Sequence, residues 1–398
     1  MTACIPAFSS FGLAITNFVF DIRHLFGVRL RDVFRVLQSC PNLVRCSVRG
    51  AGARTDRTGH ADTVRLQRLE ELEISHFTAM VDSLDRLEFP SLQSLSLTET
   101  SWGSQTIRSL YRSLQTCGKL SSIVLRDEQG RHYDGSPGFH DSLIVLNSVR
   151  RVTIHGNLVL CDLLEAISFP RLEELTLHST LPDIVYNYMS LSTELREVSL
   201  YGIYDGTPMF LANDVPFLLP SLIRLHLENS NGVLDFISAP RLESLSLKGG
   251  ARNLAPLGAS LRQFLGQSQP PLRTLVFDGV DVGDEEMIWC LGQLPRLGEL
   301  QVRKCTITDA TLQALASPSP AVAGASWLLP KLTRIVLIRN RITPQSVIAL
   351  LTSRNADPPA PAVGARLPSV DAELSFDPDR RPEERDIEVI ASLGGLLR

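Results

Sequence analysis

The chain is poor in aromatic residues, at 6% of 398, and carries no marked excess of either charge. Lys and Arg number 39 against 43 Asp and Glu, for a formal net charge of -4. A nucleic-acid binder needs a dense surplus of basic side chains to neutralise phosphates, so that class is excluded. No stretch has the length and apolarity of a transmembrane helix. Met1 to Phe20 lacks charged side chains, but Pro6, Ser9, Ser10, Thr16 and Asn17 interrupt it. No basic residue precedes its apolar part, as a signal peptide requires, and no membrane partner is expected. Cysteines are few and odd in number: Cys4, Cys40, Cys46, Cys117, Cys161, Cys290 and Cys305. None form a C-x-x-C pair, which fits a reduced intracellular protein, cytoplasmic or nuclear, rather than a disulfide framework. The signatures G-x-S-x-G, G-x-x-x-x-G-K-[ST], H-E-x-x-H and G-x-G-x-x-G are missing too. No catalytic residue, cofactor or metal is expected.

What the chain has is leucine: 63 residues, about one in six, far above ordinary usage. They fall into a triplet of apolar, two residues, apolar, one residue, apolar. The clear set runs Leu69, Leu72, Ile74; Leu92, Leu95, Leu97; Leu120, Ile123, Leu125; and Val149, Val152, Ile154. It continues as Leu172, Leu175, Leu177; Leu195, Val198, Leu200; Leu222, Leu225, Leu227; and Leu242, Leu245, Leu247. Leu272, Leu275, Phe277; Leu297, Leu300, Val302; and Leu332, Ile335, Leu337 complete it. Upstream, Leu43, Cys46, Val48 fits, and Ile15, Phe18, Phe20 fits loosely. This makes about thirteen units spaced about 26 residues apart.

The spacing has a physical reason. The last two apolar residues of each triplet are two apart, so a strand turns both to one face. A single such strand cannot bury that face alone, whereas stacked parallel copies share a core. Helical periodicity predicts return segments at Arg29 to Cys40, Gln105 to Cys117, Cys161 to Ile167, Asp284 to Leu294, Asp309 to Ala316 and Pro344 to Arg354. Asp284 and Thr308 are the expected N-caps. Between Leu222 and Leu242 there is room for little more than a turn. Pro41, Pro90, Pro170, Pro220, Pro240, Pro271, Pro295 and Pro330 precede triplets, where proline stops a helix and withholds no sheet hydrogen bond. Cys40, Cys117 and Trp102 are expected in the core.

The triplets, with Cys305 and Ile307 after Val302 and Asn340 and Ile342 after Leu337, resemble leucine-rich repeats. The resemblance implies an α/β solenoid, a horseshoe with a parallel sheet on the concave face and helices or turns on the convex face. The units "LQSCPNLVRCSV", "FPRLEELTL" and "LLPKLTRIVL" look like the repeats of fungal F-box proteins, and "LQVRKCTITDATLQALA" like their cysteine-containing subtype. In that family the repeats select a substrate and the F-box binds a ubiquitin-ligase adaptor. No L-P-x-E start or F-box length precedes Ile15. The expected organisation is a repeat region over 1–377 with a charged cap or tail over 378–398. Insertions are expected near 127–141, 317–326 and 355–368. At the start, residues 1–10, another chain or a longer N-terminus is expected to shield the first turn.

Residues between the apolar positions point outward. They form one row of Arg151, Glu174, Glu197 and Arg224, and another of His155, His178, Tyr201 and Glu228, with His226 beside them. Strands about 4.8 Å apart bring such residues together. Cross-strand pairs of this kind stabilise a sheet by a few tenths to about 1 kcal/mol each, so the rows serve either as ladders or as a partner surface. The expected function is a non-catalytic protein-binding module using these nine residues. Two alternatives remain: a ubiquitin-ligase substrate receptor lacking its F-box, and a regulator of a small GTPase or other enzyme.

Overall fold

The computed structural model describes residues 12–22, 29–50, 63–127, 143–156, 158–203, 216–249, 257–317, 327–355 and 367–397. The expected insertions at 127–141, 317–326 and 355–368 lie almost wholly outside them, as do residues 1–10. The chain falls into two compact units, Met1–Leu195 with Gly202–Leu211, and Arg196–Tyr201 with Ala212–Arg398.

Among its described residues the first unit contains seven parallel strands longer than two residues: β1 (Asn17–Asp21), β2 (Arg45–Arg49), β3 (Glu71–Ser75), β4 (Ser94–Thr100), β5 (Ser122–Asp127), β6 (Arg151–His155) and β7 (Glu174–His178). Each pairs in register with the next, as in Cys46 with Leu72 and Val48 with Ile74. Helices α1 (Leu30–Gln38), α2 (Thr78–Val81), α3 (Ser104–Leu114), α4 (Leu158–Glu165) and α5 (Pro182–Leu191) lie in the connections. The triplet residues are buried from Leu43 onward, while Phe18 and Phe20 of β1 are only half-buried. Cys40, Cys117 and Trp102 are in the core as expected.

Among its described residues the second unit contains eight longer than two residues: β8 (Glu197–Tyr201), β9 (Arg224–Glu228), β10 (Ser244–Lys248), β11 (Thr274–Asp278), β12 (Glu299–Arg303), β13 (Arg334–Ile338), β14 (Asp371–Ser375) and β15 (Gly395–Leu397). Its helices are α6 (Leu257–Ser268), α7 (Asp284–Gly292), α8 (Asp309–Ala316), α9 (Pro344–Asn355) and α10 (Glu384–Ser392). Between β9 and β10 only a 3-10 turn, Asn231–Phe236, fits. Phe376 lies just beyond β14. The chain then forms α10 and β15, and β15 pairs parallel to β14.

Most strands are prepared by the same turn, Leu272 departing from it by donating to the Pro270 carbonyl two residues back at 2.8 Å. The amide of the first triplet leucine donates to the carbonyl three residues back, as in Leu92 to Phe89 at 3.1 Å and Leu172 to Phe169 at 3.3 Å. Pro90 and Pro170 therefore stand second in a β-turn, where a fixed φ near -65° suits them. Strands end as regularly. The residue after the strand takes positive φ at His76, Ser179, Asn229, Lys304 and Arg339, and glycine fills that place at Gly202 and Gly279. Left-handed backbone costs a non-glycine residue about 1 kcal/mol. Lys304 is exposed, with φ 51. Lys304→Gly should raise the urea midpoint slightly and Lys304→Val should lower stability by about 1 kcal/mol, because a β-branched residue tolerates this region least. Equal midpoints for both variants would mean the turn carries no strain.

Two polar devices tie successive turns together. Asn340, buried, donates from Nδ2 to the Val302 carbonyl at 2.8 Å and accepts from the Cys305 amide at 3.0 Å. Asp284 corrects an expectation: Gly283, not Asp284, is the N-cap of α7. The Asp284 carboxylate instead accepts from the Thr308 amide at 2.9 Å, the Thr308 hydroxyl at 2.7 Å and the Thr311 hydroxyl, one repeat on. Thr308 does cap α8, its hydroxyl accepting from the Ala310 amide at 3.3 Å.

Candidate functional site

Alternation within each strand decides which side chains are presented. In β6 and β7, Val152, Ile154, Leu175 and Leu177 are buried, which forces Arg151, Thr153, His155, Glu174, Thr176 and His178 outward. Register places Arg151 opposite Glu174 and His155 opposite His178. The two imidazoles stack with centroids 3.6 Å apart and planes 19° from parallel. Partial burial, reinforced by the nearby Arg126 guanidinium, lowers the His155 pKa below its ordinary value, so His155 is neutral at pH 7. Arg126 lies opposite His155 in the β5–β6 register. Arg151 and Glu174 are exposed and form no ion pair with each other or with any other group among the described residues.

In the second unit the outward residues are more closely joined. Glu197 and Arg224 are opposite in register and ion-paired. Tyr201 is opposite Glu228, but its ring tilts toward His226, with centroids 5.0 Å apart. His226 Nδ1 lies 3.0 Å from the Ser246 hydroxyl. Glu228 accepts from Lys248 Nζ at 2.9 Å. Burial lowers the His226 pKa, with Glu228 opposing that shift and Lys248 adding to it. Ser246 and Lys248 were missed in the sequence reading. Their signal was present: both are the outward residues of the triplet Leu242, Leu245, Leu247, one strand beyond where the rows were stopped.

The same grammar recurs at other strands of each unit. In the first, Arg45 pairs with Glu71 at 3.3 Å, and Ser47 donates to Glu73 at 3.0 Å. In the second, Arg334 lies 3.3 Å from Glu299 and 3.4 Å from Glu373. Arg45, Glu71 and Arg334 are exposed, while Glu299 is half-buried and Glu373 more so; a pair with an exposed member is worth up to about 1 kcal/mol. The outward faces are thus mosaics of both signs.

The described residues hold no cluster of three or more His, Cys, Asp or Glu arranged to bind a metal. The cysteines among them are buried. Burial pushes the Cys46 and Cys290 thiols up to about 12, far from the thiolate that nucleophilic chemistry needs. No helix among the described residues is long and apolar enough to cross a membrane.

No family model matches the chain, and no curated protein matches its sequence. Among solved structures, an internalin (inlF) from Listeria monocytogenes str. 4b F2365 is similar at 13% identity and a TM-score of 0.40, over 86% of each chain. The TLR13–ssRNA13 complex is similar at 14% identity and a TM-score of 0.29, over 86% of this chain and 40% of that one. The fold itself is read from this chain's own repeats: in both units successive triplets set parallel strands over one leucine-built core, with helices and turns in the connections, which is the α/β leucine-rich-repeat fold.

Proposed function

We propose that this chain is a non-catalytic protein-binding module whose partner contacts the outward strand face of its units. The observation that carries the reading is that, among the described residues, the side chains of this face remain accessible. The outward residues of β6, β7, β8 and β9 stay half-exposed or exposed, while their strand neighbours are buried. A polar face of mixed sign, with one tyrosine among the charges, suits a protein surface of complementary charge. Residues already paired within a unit have less to offer a newcomer than residues that are not. Arg151 and Glu174 in the first unit therefore rank above Glu197, Arg224 and Glu228 as contact points.

The test is affinity capture from the native cell with the full chain. Arg151→Glu with Glu174→Lys should lose the partner, and the melting temperature should stay within about 2 °C, since exposed charges contribute little to folding. Glu197→Lys with Tyr201→Ala probes the second unit in the same way. Full capture by both double variants would sink the reading. A large fall in melting temperature would identify the rows as ladders instead.

A further inference from the structure

The strands of the second unit run in one direction, so their C-terminal ends share a rim. At that rim, beyond β13, β14 and β15 and beside α10, lies a cavity of about 660 Å³, within the size range of natural ligand sites. Its apolar lining includes Phe376, Ile387 and Leu397. Its charged lining is Arg339, Arg381 and Asp377. None of these three charged groups has an ion-pair partner among the described residues, each other included. Ile387 is 42% exposed, so the apolar part of the lining is accessible from solvent. The Arg339 backbone is anchored, its amide donating to the Ser375 carbonyl at 2.7 Å.

Two guanidiniums against one carboxylate favour an anion, and the planar guanidinium fork matches a carboxylate in particular. The apolar lining asks for an aliphatic group close to that anion. Asp377 offers an acceptor for an N–H. A second observation points to a peptide rather than a small acid. Among the described residues β15 pairs with β14 and with no strand on its other edge. Leu397 belongs both to that open edge and to the cavity wall. An open strand edge presents unpaired amides and carbonyls, which an extended peptide satisfies by adding as a further strand.

We propose that this cavity and the edge of β15 together bind an extended peptide segment in which a carboxylate side chain follows closely on aliphatic residues. The peptide backbone pairs with β15, the aliphatic side chain enters among Phe376, Ile387 and Leu397, and Arg339 and Arg381 take the carboxylate. This site uses none of the outward residues assigned to the partner face, so the two proposals stand or fall separately.

Fluorescence anisotropy with the full chain tests it. The probes are fluorescein-labelled octapeptides with a Leu-Leu pair one, two or three residues before a single Glu. At least one should bind saturably. Its Gln-for-Glu counterpart should bind about tenfold more weakly, as should the Arg339→Gln, Arg381→Gln double variant toward the parent peptide. Replacing a peptide residue beside the leucines by proline should also weaken binding, because it removes a ladder donor. Arg151→Glu with Glu174→Lys should leave peptide binding unchanged. The proposal is overturned if none of the three peptides binds at about 1 mM, or if the glutamine peptide binds as well as the acid. It is overturned equally if octanoate alone displaces the peptide at matching concentration, which would make the site one for small carboxylic acids.

Discussion

Arg354→Leu should lower the melting temperature by about 4 °C, a loss of about 3 kcal/mol in a protein of this size. Arg354 is 4% exposed, near the end of α9. Its guanidinium donates to three main-chain carbonyls: Leu315 through Nε and Nη2 at 3.1 and 2.8 Å, Leu329 through Nη1 at 3.2 Å, and Leu328 through Nη2. The Trp327 ring lies 5.0 Å beneath it. Leu315 is in the last turn of α8, where carbonyls lack helical partners, so Arg354 caps one helix from the end of the next. It also fixes the chain on both sides of the insertion at 318–326. Burial brings its pKa down to about 10, so it stays charged at neutral pH. Leucine keeps only the apolar stem and strands three acceptors away from water, each costing about 1–3 kcal/mol if nothing replaces the donor. Arg354→Lys should recover part of the loss, because a single ammonium cannot span the fork of carbonyls. Differential scanning calorimetry of the three proteins checks this. A leucine variant within about 1 °C of the parent would show that the carbonyls find water.

This clamp was invisible in the sequence, and the reason is general. The triplet is legible because a strand converts spacing directly into a face: from Leu43 to Leu337 the apolar positions are the buried ones. The repeat period, the strand direction and the outward residues follow from that conversion alone. Contacts across the connections do not, since they depend on how near one return segment passes to the next. Helix α6 was missed because Gly258 and Gly266 weaken its helical propensity. The structure gives Gly258 a purpose: a Cβ there would stand 2.5 Å from Glu286 Cγ of α7, so glycine permits that close approach. Helix α5 was missed because Pro182 reads as a stop, whereas it occupies the first helical turn and lacks only a hydrogen bond that position never makes. The candidate site divides in the same way. Period two identifies Arg151 and Glu174 in the first unit, and Glu197 and Arg224 in the second, as facing outward, but not that Glu197 binds Arg224 while Arg151 and Glu174 stay apart. That difference lies in rotamers set by neighbouring strands.

The carboxylates that staple successive turns should make the fold sensitive to acid in a specific window. Asp309 repeats the arrangement of Asp284 one unit later: it accepts from the Thr343 amide at 2.7 Å, the Thr343 hydroxyl at 3.0 Å and the Ser346 hydroxyl at 2.7 Å. Partial burial alone would raise the pKa of both acids. Hydrogen bonds from Thr311 and Thr308 outweigh it at Asp284, as do those from Ser346 and Thr343 at Asp309, and both end below the ordinary aspartate value. A carboxylate held more acidic in the folded than in the unfolded chain stabilises the fold above the unfolded pKa. That contribution is lost as pH falls through the lower, folded value. The Asp284→Asn, Asp309→Asn double variant keeps the shape of both groups but loses charge and acceptor capacity. Urea unfolding at pH 7 should show it less stable by about 3 kcal/mol in total, since charge-assisted bonds are worth about 1.5–3 kcal/mol each and asparagine retains some of them. The gap should hold down to about pH 5 and narrow below about pH 4, where the parent carboxylates begin to protonate and the variant has nothing to lose. A gap of the same size at pH 3 as at pH 7 would mean that the two acids act through packing and not through charge.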